Sequence, residues 1–158
     1  MALSRSIRHP LRRFTQVDRR RRLLVIEAVA CLLAARLSLL VVPFPALARR
    51  LGHFVPPSDP RAALSSVPAA PERIHLAREI GWAVTRAARH VPFKAVCLPQ
   101  AMAAQFMLRR RGVASAMHFG AARGTDESLD AHAWLDAAGV EVTGYPVDAR
   151  FAEIACFV

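Results

Sequence analysis

The sequence predicts an α+β fold, because its hydrophobic period changes along the chain. In the first two thirds, apolar residues recur every three or four positions, as on one face of a helix, and in the last third they alternate, as in a strand. A chain of 158 residues can bury most of its unfolded surface, and the 54% apolar fraction argues against general disorder. Helices followed by short strands indicate a small antiparallel sheet with helices packed on it.

The helical pattern predicts four helices, with start and stop signals at the later two. The third begins behind Pro71 and closes before Pro92, and the fourth ends in arginines followed by Gly112, a favoured C-terminal cap. The predicted helices are 20–42, 46–51, 72–90 and 97–111.

Strand-like alternation begins after the fourth helix. We predict strands over 113–122, 131–137 and 140–143, with Gly139 in the turn between the last two. A fourth strand is predicted over 151–157.

Composition divides the chain into three parts. Residues 1–54 hold a basic tail and apolar helices, residues 55–71 carry five prolines and are predicted as a linker, and residues 72–158 form the predicted main domain. Residues 1–22 contain eight arginines against one aspartate, which accounts for seven of the ten net positive charges. The arginines lack interleaved aromatic residues, so no nucleic-acid partner is predicted.

The apolar stretch 23–47 resembles a membrane anchor at first sight. Glu27 and Arg36 lie within it, and each would cost about 2.5–3.5 kcal/mol at a bilayer centre. A helix packed on the domain at 72–158 is therefore favoured, with peripheral contact to an anionic membrane surface left open.

The three cysteines, Cys31, Cys97 and Cys156, are far apart. The sequence contains neither a CxxC pair nor a His/Cys cluster at zinc spacing, so we expect no disulfide framework, no metal site and no cofactor. A reducing, cytoplasmic location is the simpler interpretation.

Cys97 is the candidate nucleophile because it is predicted to open a helix. Unpaired amides and the positive end of the helix dipole favour a thiolate there and can hold an oxyanion during acyl transfer. A lone cysteine is more often a small buried hydrophobic residue, so its position alone does not decide its role.

His132 is the candidate base and acid. Strand alternation places it on one face with Trp134 and Asp136, where an imidazole could pair with the thiolate and protonate a leaving amine. A structural histidine fits the pattern equally well, and His118 in the preceding strand is a rival base.

Three motifs together resemble the leader peptidases of lasso-peptide biosynthesis, the transglutaminase-like B proteins. They are VPFKAVCLPQA at 91–101, LRRRGV at 108–113 and AHAW at 131–134, the histidine lying 35 residues after the cysteine. The resemblance covers about residues 72–158. It implies a transglutaminase-like or papain-like core and a cysteine peptidase that cuts a ribosomally made precursor before a separate cyclase closes the macrolactam.

The sequence departs from the family at the residue that orients the histidine. The family carries an Asn-Asp pair about twelve residues after it, where this chain has Thr143 and Gly144. We expect Asp148 to take over as third catalytic residue, and the alternative is a site with no acidic third residue. Gln100 and Trp134 are the candidate substrate-binding residues, although a surface glutamine and a tryptophan packed on the sheet are the simpler interpretations.

The expected partners are the precursor's leader peptide, a separate leader-recognition protein and the cyclase. A recognition protein is expected because residues 1–71 lack the three-strand pattern of a leader-binding module. Two other functions stay open: a transglutaminase-like acyltransferase that uses an amine instead of water, and a non-catalytic membrane-associated interaction protein.

Overall fold

The computed structural model describes residues 19–124 and 128–158, so most of the predicted basic tail lies outside the described residues. Five helices and five strands are described within these ranges. In chain order they are α1 (Arg19–Val41), α2 (Phe44–Leu51), β1 (Phe54–Val55), α3 (Pro60–Leu64), α4 (Pro71–Ala88), α5 (Cys97–Arg109), β2 (Ala116–Arg123), β3 (Leu129–Ala137), β4 (Val140–Thr143) and β5 (Ala152–Phe157).

The strands form one antiparallel sheet in the order β1-β5-β2-β3-β4. The α+β prediction is confirmed, and the four predicted helices and four predicted strands lie within three residues of their expected bounds. Gly112 follows α5 with φ +68°, as the predicted C-terminal cap requires.

The core lies between the helices and one side of the sheet. On that side Met117, Leu135 and Phe157 pack with buried residues of α1, α4 and α5. Helices α4 and α5 contribute fully buried core residues, namely Ile80, Val84, Ala101, Met107 and Leu108. Alternation along β3 sends His132 and Trp134 to the other side of the sheet.

The segment 55–71, predicted as a linker, contacts the sheet. Val55 in β1 pairs with Cys156 in β5 and is buried, and Ala62 of α3 packs in a small cluster with both. Its prolines are tolerated because they lie at the first turn of α3 and α4 and in loops, where no backbone N–H is needed.

Helix α1 packs against α4 and α5 instead of standing apart. Leu24, Ala28 and Leu32 enter the core, and Glu27 pairs with Arg111 across 2.6 Å and with Arg110 across 3.3 Å. By length and composition α1 is apolar enough to cross a membrane, yet a third of its most apolar window is buried by the rest of the protein.

Candidate active site

Cys97 is the first residue of α5 and is half-buried. Val96 before it is extended and 60% exposed, so the start of the helix lies at the surface. Pro99 has no N–H, and the Gln100 N–H donates to the Val96 carbonyl across 3.3 Å. The first-turn amides that can hold an oxyanion are therefore those of Cys97 and Leu98.

Gln100 lies one turn after Cys97, where its side chain supports the loop before the helix. Its Nε2 donates to the Ala95 carbonyl across 2.7 Å. This bond fixes the backbone that leads into Cys97, and the expected contact of Gln100 with substrate stays a prediction.

The His132 ring is fixed by a backbone carbonyl. Its Nε2 lies 2.7 Å from the Gly144 oxygen, and a carbonyl can only accept a hydrogen bond, so Nε2 carries the proton. Nδ1 is then the nitrogen that can exchange a proton with a nucleophile or leaving group. The carbonyl thus supplies a contact that orients the imidazole.

Gly144 occupies a conformation that other residues rarely adopt. Its φ is +85°, and a Cβ there would lie 2.5 Å from the Ala133 oxygen and 2.8 Å from the Trp134 Cα. An aspartate at this position is therefore incompatible with the observed backbone. Glycine lets the chain approach β3 closely enough for its carbonyl to reach His132.

The Asp148 side chain has its described contacts with Arg150. Its Oδ1 accepts from the Arg150 N–H across 3.0 Å, its Oδ2 lies 3.4 Å from Arg150 Nε, and its side chain is 62% exposed. The described bond to the His132 ring comes from Gly144, a backbone carbonyl that no residue type in the sequence could reveal. A catalytic role for Asp148 stays a prediction.

Aromatic rings hold His132 from two directions. Trp134 stacks on it with centroids 5.9 Å apart, and Phe151 lies 5.2 Å away with a tilted ring. Trp134 is only 7% exposed, which leaves it little surface for a peptide. Trp134 thus supports the imidazole by stacking, and its contact with substrate stays a prediction.

A buried polar network adjoins these rings on the same side of the sheet. His118 stacks on Trp134 with centroids 5.5 Å apart, and its Nδ1 lies 2.6 Å from Glu153 Oε1 and its Nε2 3.4 Å from Asp136 Oδ2. Burial opposes the charge of His118, but contacts with Asp136, Cys156 and Glu153 together raise its pKa to about 10. His118 is therefore a buried cation beside two carboxylates. Its Nδ1 is hydrogen-bonded to Glu153, whereas its Nε2 is buried with no hydrogen-bond partner among the described residues and is attracted to Asp136 by charge alone.

His118, Glu153 and Cys156 are also the described residues whose ligand atoms come close enough to hold a metal ion. These atoms lie within 4.8 Å of one another, and imidazole, carboxylate and thiolate are all zinc ligands. The short contact between His118 and Glu153 is explained by the ion pair without a metal. Sequence spacing gave no sign of this cluster, because its members come from two strands 35 residues apart.

Contact between Cys97 and His132 stays a prediction. His132 projects from the side of β3 opposite Leu135, which packs with the helices. The first residues of the strand are not covered by that core, since Leu129 and Ala131 are exposed. The two side chains meet if the start of α5 lies at this open end of β3.

Comparison with known families agrees with this architecture. A model of the transglutaminase-like superfamily matches residues 38–156, which include Cys97, His132 and Gly144. No curated protein and no solved structure matches the chain. Membership of this superfamily is consistent with a cysteine peptidase or an acyltransferase. Because the match spans well over half of the chain, the protein belongs to the transglutaminase-like superfamily.

Proposed function

We propose that the protein is a cysteine peptidase that removes the leader from a lasso-peptide precursor. The observation that carries the peptidase chemistry is a half-buried cysteine at the first turn of a helix in a transglutaminase-like domain. The leader-peptide substrate is supported by the resemblance of the motifs at 91–101, 108–113 and 131–134 to the lasso leader peptidases.

In the proposed reaction, the Cys97 thiolate attacks the carbonyl carbon at the leader–core junction. The resulting oxyanion is held by the first-turn amides, and the C–N bond breaks as His132 Nδ1 protonates the departing amine. Water, deprotonated by the same nitrogen, then hydrolyses the thioester. The products are a leader with a free carboxylate and a core peptide with a new α-amine.

Partners follow from the same proposal. A separate recognition protein would deliver the leader, and a cyclase would use the new α-amine to close the macrolactam. The proposed location of the protein is the cytoplasm, because the ribosomal precursor is made there.

The test is a cleavage assay with precursor, recognition protein and this chain. Cys97→Ala and His132→Ala should each abolish leader release while circular dichroism and the melting temperature stay close to wild type. Cys31→Ala is the matched control and should cleave normally, because Cys31 lies in α1. Normal cleavage by the Cys97 or His132 variant would exclude the mechanism.

An acyltransferase is the second candidate, because the same thioester can react with an amine instead of water. Adding a primary amine to the assay separates the two. A leader that carries a free carboxylate indicates a peptidase, whereas a leader joined to the added amine indicates acyl transfer. A non-catalytic interaction protein would give neither product.

A further inference from the structure

One face of α1 is apolar and uncovered in the described structure. We call it the outer face of α1. Its large side chains are between 38% and 75% exposed, whereas those on the opposite face of the helix enter the core. The outer face consists of Leu23, Ile26, Val29, Ala30, Leu33, Ala34, Leu37, Leu40 and Val41.

The outer face is broad and unbroken. At about 100° per residue its nine members span an arc of about 140° and a length of about 27 Å. The polar residues of α1 after its first turn, Glu27, Arg36 and Ser38, lie outside this arc. An arc of this width exceeds the narrow seam of a two-helix coiled coil.

Positive charge surrounds the outer face. Arg36 lies beside one edge, and the groove along the other edge, about 640 Å³ in volume, is lined by Arg50, Arg109 and Arg110. Glu27 also lines this groove, but its bonds with Arg111 and Arg110 neutralise it and hold its pKa below the usual value. A rim of this kind complements anionic headgroups.

The opposite side of α1 prevents the helix from crossing a bilayer as an isolated span. Ala28 and Leu32 are fully buried against the domain, and Arg20 bridges to the buried Glu79 of α4 across 3.2 Å. Insertion would remove these residues from the core. Contact in the plane of the membrane leaves all of these interactions in place.

We propose that the outer face of α1 docks the protein on an anionic lipid bilayer, with the helix lying in the membrane plane. This docking is independent of the proposed peptidase activity. It does not use Cys97 or His132, and loss of either function leaves the other testable.

The test is flotation of the full chain with vesicles of phosphatidylglycerol and phosphatidylcholine. We expect binding to the mixed vesicles and at least about tenfold weaker binding to pure phosphatidylcholine or at high salt. Leu37→Glu and Leu40→Glu, made singly at exposed positions, should each weaken binding at least about tenfold. Leu129→Glu is the matched control at an exposed leucine of β3 and should bind like wild type.

Three outcomes would overturn the proposal. The first is equal vesicle binding by Leu37→Glu, Leu40→Glu and wild type. The second is a dimer in light scattering that Leu37→Glu dissociates, without vesicle binding by wild type, which would assign the outer face to a second copy of the chain. The third is wild-type protein that resists extraction by both carbonate and high salt, which would indicate a transmembrane helix.

Discussion

Replacing Gly144 with alanine tests how His132 is oriented. The added Cβ would lie 2.5 Å from the Ala133 oxygen, closer than such atoms approach, and the φ of +85° disfavours any L side chain. The chain must move away from β3 to relieve the overlap. Such a shift would pull the Gly144 carbonyl from His132 Nε2, now 2.7 Å away.

Gly144→Ala should lower the free energy of unfolding for two reasons. A left-handed conformation at a non-glycine residue costs about 1–2 kcal/mol, and the lost hydrogen bond about 0.5–1.5 kcal/mol more. For a chain of this size the sum corresponds to a melting temperature lower by roughly 4–12 °C. If His132 is catalytic, a freed ring should also reduce cleavage at least about tenfold, the equivalent of one such bond.

Gly112→Ala provides the matched control. Gly112 also has a positive φ, +68°, but a Cβ there would meet no atom within 4 Å of the described structure. Gly112→Ala should therefore lose only the free energy of placing alanine in a left-handed conformation, about 1–2 kcal/mol, and should cleave normally. Comparing Gly144→Ala with Gly112→Ala separates the effect of backbone strain from the loss of the Gly144 carbonyl contact with His132.

Cleavage kinetics, thermal unfolding and nitrogen NMR of the His132 ring form the assay. Wild type should show the tautomer protonated at Nε2, and Gly144→Ala should lose that preference. Cleavage by Gly144→Ala at the rate of Gly112→Ala, or a wild-type ring protonated at Nδ1 when neutral, would refute the reasoning.

Two further predictions concern ionisable residues near the candidate site. Asp148→Asn should leave cleavage unchanged, because its contacts are with Arg150; a large loss of rate would place Asp148 in the catalytic set. His118 holds its proton up to about pH 10 when folded, whereas the unfolded chain releases it near pH 6.5, so its stabilising effect is complete below pH 6.5 and declines towards pH 10. In urea unfolding, the free energy of unfolding should fall over this pH range by at most about 1.4 kcal/mol per pH unit. His118→Gln should make this pH dependence weaker. If the free energy of unfolding of His118→Gln fell as steeply with pH, the ion pair of His118 with Glu153 and Asp136 would be contradicted.

The secondary structure could be read from the sequence because its signals are local. A helix period, a proline at a first turn or the glycine after α5 acts within a few residues of itself, and these signals gave the predicted elements close to their observed bounds. The missed elements, α3 and β1, are short. Val55 forms a strand because β5 lies beside it, and its neighbours in sequence carry no sign of that pairing.

The sequence by itself determined the α+β order, the helix that begins at Cys97 and the strand that carries His132. Only the tertiary structure decided what holds the imidazole, because the contact comes from a backbone oxygen twelve residues away. The partners of His118 and the uncovered side of α1 also depend on how distant elements pack. Local periodicity shows that a helix is apolar on several sides, but only packing decides which of those sides the protein covers.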